Sequence, residues 1–403
     1  MSTYVDIHVL SALGPNNMNR DENGAPKTIV FGGSTRHRLS SQSQKYATRG
    51  DFIDAYGDEL VSLRSRSLPS LIALRLQEQD SSLTDLEARK LAARSLTLIT
   101  YSKPADIKTK GLKVVEEAIK KQGDNYMPEL SATFQISDTQ SREFAKTVLD
   151  AIANGVDFTD IKVADDKELI SALTETIRDR NTADVLLFGR MLASNQALSV
   201  DATCQVAHAI GVGTYAGDLD TFIAADEIST RDSELAQAIR EHRGPDGGGA
   251  DMLDEKGISA GTVYRYANVN VSALAKAVGS VADAADIVGK FITSFSTVLP
   301  GGAQNSHAAR SPFSTLVVTV RNTAPMSLVG AFEIPVDNAR EATEAMTNFA
   351  KETATMYGDT VGDKVFALTI HNRDGVVESL GADDPVKSLP ALVSAVADAV
   401  QGF

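Results

Sequence analysis

No tryptophan occurs in these 403 residues, and the single cysteine, Cys204, excludes an internal disulfide. Nothing in the chain therefore asks for an oxidising compartment. No apolar run reaches the length needed to span a bilayer, so no membrane segment is expected. The first residues, MSTYVDIHVL, lack a basic stretch followed by a long apolar one, which argues against a secretory leader. A cytoplasmic protein is the expectation. The six histidines (His8, His37, His208, His242, His307 and His371) are scattered, without the paired spacing of a zinc or two-metal site. FGGSTR lacks the Lys-Ser/Thr ending of a Walker loop, and no Gly-x-Ser-x-Gly elbow occurs. No metal, cofactor or catalytic constellation is expected.

A basic excess is lacking too. The net charge is -14, which taken alone disfavours nucleic acid. The charge is uneven, however. Residues 1–50 hold six Lys/Arg (Arg20, Lys27, Arg36, Arg38, Lys45, Arg49) against Asp6, Asp21 and Glu22, a local +3 that leaves -17 for residues 51–403. Screening beyond about 8–10 Å lets such a patch act locally on a polyanion.

What is present is periodicity. Residues 3–11 set Val5, Ile7 and Val9 against Asp6 and His8, the alternation of a half-buried strand. A turn-rich loop, ALGPNNMNRDENGAPK, follows. A serine at 40 or 41 then opens a helix through SQSQKYATR. Residues 68–99, 105–122, 140–153 and 166–178 read as a helical insertion. ADVLLFGR (183–190) reads as a short buried strand, and VDATCQVAHAIGV (200–212) as a short helix carrying a core His208. TVYRYANVNV, STLVVTVRN and KVFALTI read as strands, with helices near 281–298, 339–357 and 386–402. In TVYRYANVNV, Tyr264 and Tyr266 could stack bases on a sheet; core packing is the favoured reading. Residues 226–257 are acidic and Gly-rich, centred on GPDGGGAD, and read as a protruding excursion.

The segment with most chemistry is RHRLSSQSQKYATR. Gln42, Lys45 and Arg49 lie three and four residues apart, on one face of a helix that begins near Ser40, beyond a strand-like Arg38. Serine hydroxyls, free N–H groups and cations at a helix start are how a sugar-phosphate backbone is held without reading bases. A solvated helix with an ordinary Ser cap explains the spacing equally well. The preceding loop adds Asn19, Arg20 and Lys27.

The order of blocks resembles the CasC-type backbone subunit of the CRISPR type I-E Cascade complex. The blocks are DIHVLSALGPNNMNRD, FGGSTRHRLSSQSQKYATR, LFGRMLASN, VDATCQVAHAIGV, DLDTFIAADE, GTVYRYANVNV and PGGAQNSHAAR, in family order across about residues 5–335. The resemblance implies an α+β fold: a ferredoxin-like (RRM-type) palm, a helical fingers insertion and a protruding thumb hairpin. On this reading residues 1–60, 181–217 and 262–403 form the palm and C-terminal helices, 61–180 the fingers and 218–261 the thumb. It implies a non-catalytic scaffold that polymerises head to tail along guide RNA. The guide pairs with target DNA, alongside large, small, RNA-end-capping and guide-processing subunits. It implies RNA contacts at Asn19, Arg20, Lys27, Arg38, Ser40, Gln42, Lys45 and Arg49, a wedge at Met191, and a thumb aromatic at Phe222. A family member has Trp just before that Phe, where this chain has Thr221. The alternative is a type III-like subunit that cleaves target RNA through a loop aspartate, here Asp21. An unrelated metabolic α/β enzyme ranks last, because no motif supports it.

Overall fold

The computed structural model describes residues 2–243, 250–357, 363–382 and 386–402. The alternation read in residues 3–11 becomes the long strand β1 (Tyr4–Asn16). It pairs antiparallel with β9 (Ala250–Asn270) on one side and with β10 (Phe313–Arg321) on the other. β11 (Lys364–Thr369) extends the sheet beyond β10. The short strands β6 (Cys204–Val206) and β7 (Ala209–Gly211) pair with the far side of β9, and β7 leads on to β3 (Ser34–Leu39) and the edge strand β2 (Thr28–Phe31). Helix Ser41–Tyr56 follows β3, and helix Val281–Thr297 lies between β9 and β10. Taking β6/β7 as the second strand, the order 4-1-3-2 around β1 is that of a ferredoxin-like sheet. The fold is α+β.

Val5, Ile7 and Val9 are fully buried against Phe52, Phe291, Ile292, Phe295 and Leu392 from the helices on one face. Each such side chain contributes about 1.5–3 kcal/mol by leaving water. The other face is covered as well: Leu10, Tyr264, Tyr266 and Val317 pack under Phe332 and Met346. The strand is thus buried on both faces, not one. Asp6 and His8, read as its solvent side, are buried because the chain supplies partners. Asp6 accepts from the Tyr266 hydroxyl at 2.8 Å and the Met326 N–H at 3.0 Å, and His8 Nδ1 lies 2.9 Å from the Tyr264 hydroxyl. Tyr264 and Tyr266 are core residues, as their favoured reading had it.

A separate apolar core holds the helical insertion, built on helices Leu68–Gln79, Asp85–Thr100, Asp138–Ala153 and Lys167–Arg178. A small two-stranded sheet, β4 (Leu63–Ser65) with β5 (Phe134–Ile136), closes its base. Leu192 and Leu198, from the stretch assigned to the palm, also enter this core. The excursion leaves the main sheet as a hairpin: β8 (Asp218–Ala225) pairs with the first part of β9, with Asp218 opposite Ile258. Short helices Glu227–Thr230 and Glu234–Arg243 follow β8. The centre of GPDGGGAD lies outside the described residues.

Two elements differ from their reading. Residues 183–188 form a helix, Ala183–Phe188, not a strand. A six-residue apolar run carries no period that separates the two. Here Asp184 sits in the first turn and Gly189, at φ +79°, closes the last one by donating to the Val185 carbonyl. Residues 204–211 form β6 and β7, not a helix. Helical spacing of apolar residues yields there to the free edge of β9, which supplies ladder partners no local pattern announces. His208 is consequently not a core residue of a helix; it sits exposed between the two strands.

Candidate nucleic-acid interface

Ser40 follows β3 and caps the helix Ser41–Tyr56. Its backbone is extended and its hydroxyl accepts from the Ser43 N–H at 3.2 Å. Gln44 N–H already bonds the Ser40 carbonyl, so the first-turn donors without a protein partner, among the described residues, are the N–H groups of Ser41 and Gln42. The loop before β2 is pinned to this cap. Asn19 Oδ1 accepts from the Ser40 N–H at 2.8 Å, Lys27 N–H donates to the Asn19 carbonyl at 2.9 Å, and Arg38 N–H donates to the Lys27 carbonyl at 2.8 Å. Arg20 bridges to Pro26 within the same loop. Asn19, Arg20, Lys27, Arg38 and Ser40 therefore share one ledge although they come from three segments.

Arg20, Lys27, Arg38 and Lys45 have no carboxylate within ion-pair distance among the described residues. Arg38 and Lys27 make the ledge locally positive, and His208 registers it. The Arg38 guanidinium lies 3.5 Å from its ring. Partial burial, then repulsion from Arg38 and Lys27, holds the imidazole below its ordinary pKa.

Arg49 does not join this set. Its Nε donates to Asp184 Oδ2 at 2.9 Å and its guanidinium to the Ser62 carbonyl at 3.0 Å. Asp184 is fully buried and also accepts from the Ser62 N–H and hydroxyl and from the Thr182 hydroxyl. The face shared by Lys45 and Arg49 is therefore split in charge: both line one open groove, but Arg49 is paired with Asp184 and Lys45 has no carboxylate partner among the described residues. Arg36 is withdrawn from the basic head as well. It is fully buried and donates to the carbonyls of Gly211, Val212, Phe332 and Glu333.

The groove, about 840 Å3, is lined by Gln42, Lys45, Tyr46 and Arg49 of the helix and by Phe188 and Met191. Lys45 Nζ lies 5.6 Å from the Phe188 ring centre. Met191 is 82% exposed, which removes the reading of it as a terminal core residue. Its neighbours hold it out. Arg190 is buried and donates to the carbonyls of Leu198, Gln135 and Ile177, and a Cβ on Gly189 would sit 2.9 Å from the Val200 carbonyl. A fixed backbone with an exposed flexible thioether suits an apolar wedge. Met191→Ala is expected to leave the free protein's stability within about 0.5 kcal/mol of the parent, checked by thermal melting. A core-sized loss of about 2 kcal/mol or more would contradict the geometry.

The family model described as "CT1975-like protein" matches residues 5–395. The chain belongs to the CT1975-like protein family. No curated protein matches it. Among solved structures, a chain described as "CRISPR RNA-guided surveillance complex, pre-nicking" superimposes with a TM-score of 0.77 at 29% identity, covering 98% of this chain and 100% of that one. Another, described as "CRISPR RNA-guided surveillance complex", gives a TM-score of 0.68 at 26% identity, over 98% and 99%.

Two further residues complete the site of this CT1975-like protein. Asp21 lies in the ledge loop, but its carboxylate accepts the N–H groups of Asn23 and Ala25 at 2.9 and 3.0 Å, an Asx-type turn that shapes the loop. Among the described residues, no three His, Cys, Asp or Glu side chains are grouped to hold a metal ion. Phe222 is half-buried on β8, with Lys256 Nζ 4.5 Å from its ring centre. No hydrogen bond or ring contact joins it to the ledge among the described residues. Sequence reasoning missed Tyr46, which is 78% exposed beside Lys45, and the anchoring role of Arg190. An exposed tyrosine one residue after the groove lysine was the available signal for the first.

Proposed function

We propose that this protein is the RNA-gripping backbone subunit of a CRISPR RNA-guided surveillance complex, of the type I-E kind, and that it cleaves nothing itself. The observation that carries the proposal is the ledge with its groove: Arg20, Lys27 and Arg38 on the ledge and Lys45 in the groove have no ion-pair partner among the described residues, and two N–H groups at the helix start lack a protein acceptor there, on an otherwise acidic chain. Such a surface binds phosphates and leaves bases free to pair, so sequence recognition of target DNA belongs to the guide. The acidic remainder discourages binding of RNA elsewhere. The two solved structures belong to complexes of that description, and their alignments run nearly the full length of both chains. The Ser-Ser-Gln-Ser-x-Lys and Gly-Arg-Met blocks favour type I-E. Copies assemble head to tail along the guide, and capping subunits end the filament.

Lys45 tests the grip. Lys45→Ala is expected to weaken binding of guide RNA and to reduce the slope of log K against log salt by about 0.7–0.9, whatever the guide sequence. Anisotropy titrations at several salt concentrations check this; an unchanged slope would mean that the face is merely solvated. Asp21 tests the absence of cleavage. The assembled parent complex is expected to leave complementary RNA uncut, and Asp21→Asn to behave identically. Regularly spaced cuts by the parent, lost in the variant, would establish the type III-like alternative.

A further inference from the structure

Arg265 has no role in the reading above, and its surroundings are unusual. It lies in the middle of β9, opposite Val9 of β1, on the face covered by helices Ser41–Tyr56 and Val281–Thr297. It is 1% exposed. Its Nε donates to Gln44 Oε1 at 3.2 Å, and its guanidinium carbon lies 4.5 Å from the Phe295 ring centre. Both terminal nitrogens lack a hydrogen-bond partner, and no carboxylate lies within ion-pair distance among the described residues. Burial alone pulls its pKa to about 9, so it stays charged at neutral pH. The other buried arginines among the described residues have what Arg265 lacks: Arg36 donates to four carbonyls, Arg190 to three, and Arg321, although its Nε makes no hydrogen bond, lies 3.2 and 3.6 Å from the carboxylates of Asp6 and Asp363.

A buried, uncompensated charge is strongly destabilising, and a fold of marginal stability keeps one when something else gains from it. Gln44 shows the direction of the gain. It sits in the first turn of the Ser41–Tyr56 helix and is itself 1% exposed. Its Nε2 donates to the Ala207 carbonyl at 3.0 Å and reaches the carbonyls of Leu39 and Ser40 at 3.5 Å. Those last two carbonyls belong to the peptide units whose N–H groups are those of Ser40 and Ser41. Withdrawing electrons from a carbonyl strengthens the N–H of its own peptide. The Ser41 N–H is one of the two unpartnered donors of the ledge. Charge on Arg265 thus acts on that donor through the Gln44 amide and, across a medium of low dielectric, on any anion held at the helix start.

The geometry points to Arg265 as a positioning residue of the nucleic-acid interface: an interior cation behind the capped helix start, for which an RNA phosphate outside supplies the missing counter-charge. This rests on the RNA-gripping reading and adds to it a residue that never touches the ligand. It makes an unusual demand: loss of the residue should weaken binding without weakening the free fold.

The test uses the full chain and a short single-stranded RNA sized for one copy, with Lys45→Ala as a control for the ledge. Arg265→Met is expected to bind about tenfold more weakly, the size given by a unit charge acting across about 10 Å at an effective dielectric near 20. Its thermal midpoint should equal or exceed the parent's, because an uncompensated charge has been replaced by an apolar chain. Parent-like binding by Arg265→Met, with Lys45→Ala impaired, overturns the role of Arg265 and leaves the ledge standing. Parent-like binding by both variants removes the RNA-gripping reading with it. If Arg265→Met melts lower, Arg265→Lys decides, measured well below both midpoints. Stronger binding by the lysine variant than by the methionine variant supports the charge, and equal binding overturns it.

Discussion

Asp184→Ala is expected to lower the stability of the free protein by about 3–5 kcal/mol, the usual cost of removing one partner from a buried ion pair. Asp184 is fully buried, and its two oxygens take the Arg49 guanidinium, the Ser62 N–H and hydroxyl, and the Thr182 hydroxyl. Without the carboxylate, all four donors lose their acceptor, and Arg49 becomes an unpaired, largely buried cation. Arg49→Ala should cost less, because Asp184 keeps its three other donors. Urea denaturation of the free protein checks both. The pair also separates structure from grip. Arg49→Ala should shift the urea midpoint and leave the salt slope of RNA binding unchanged, whereas Lys45→Ala should do the reverse. A salt slope that falls for Arg49→Ala would place Arg49 on the RNA after all.

That contrast shows where sequence reasoning stopped. Spacings of three and four residues identify a helix face, but they do not say which of its charges are already paired. Arg49 is paired because Asp184 waits 135 residues later in the chain, and nothing in a local pattern marks that partner. Arg36 was counted in the basic head for the same reason: its four carbonyl acceptors come from two distant segments. Local signals did carry β1, the later part of β9, β10 and the Ser40 cap, because alternation and capping are decided within a few residues. They failed at β6 and β7, whose strand character comes from the edge of β9, and at residues 183–188, where the apolar run is shorter than two helical turns. The resemblance carried further than the patterns did. The Asn19, Arg20 and Lys27 loop had only turn residues to recommend it, and the structure ties it to the Ser40 cap through Asn19. Met191 stands exposed between two elements, helix and loop, that no periodicity defined.

The second large effect concerns pH, and its sign follows from two buried histidines. His8 is enclosed by Tyr264 and Tyr266, and burial, reinforced by the Arg321 cation, pulls its pKa down to about 3. His37, with Nε2 3.2 Å from the Ser259 hydroxyl, is pulled down by burial to about 4. Both are neutral in the folded protein throughout the range where the unfolded chain, with histidine near 6.5, takes up protons. Below pH 6.5 the unfolded state therefore binds two more protons than the folded state, and stability falls as acid is added. Asp6 opposes this. Burial raises its carboxyl to about 6 against the pull of Arg321, so from pH 6 down to 3.8 the folded state holds one proton that the unfolded state lacks. The net difference is two protons between pH 6.5 and 6 and one proton from there to about pH 4. At about 1.4 kcal/mol per proton per pH unit, the free protein should lose about 2–3 kcal/mol between pH 7 and pH 5. His37→Gln removes one of the two histidine contributions. Its loss over the same interval should be smaller by about 2 kcal/mol, whatever the substitution costs at pH 7. Urea midpoints at pH 7 and pH 5 for both proteins measure this, and parallel losses in parent and variant would show that His37 titrates normally in the folded state.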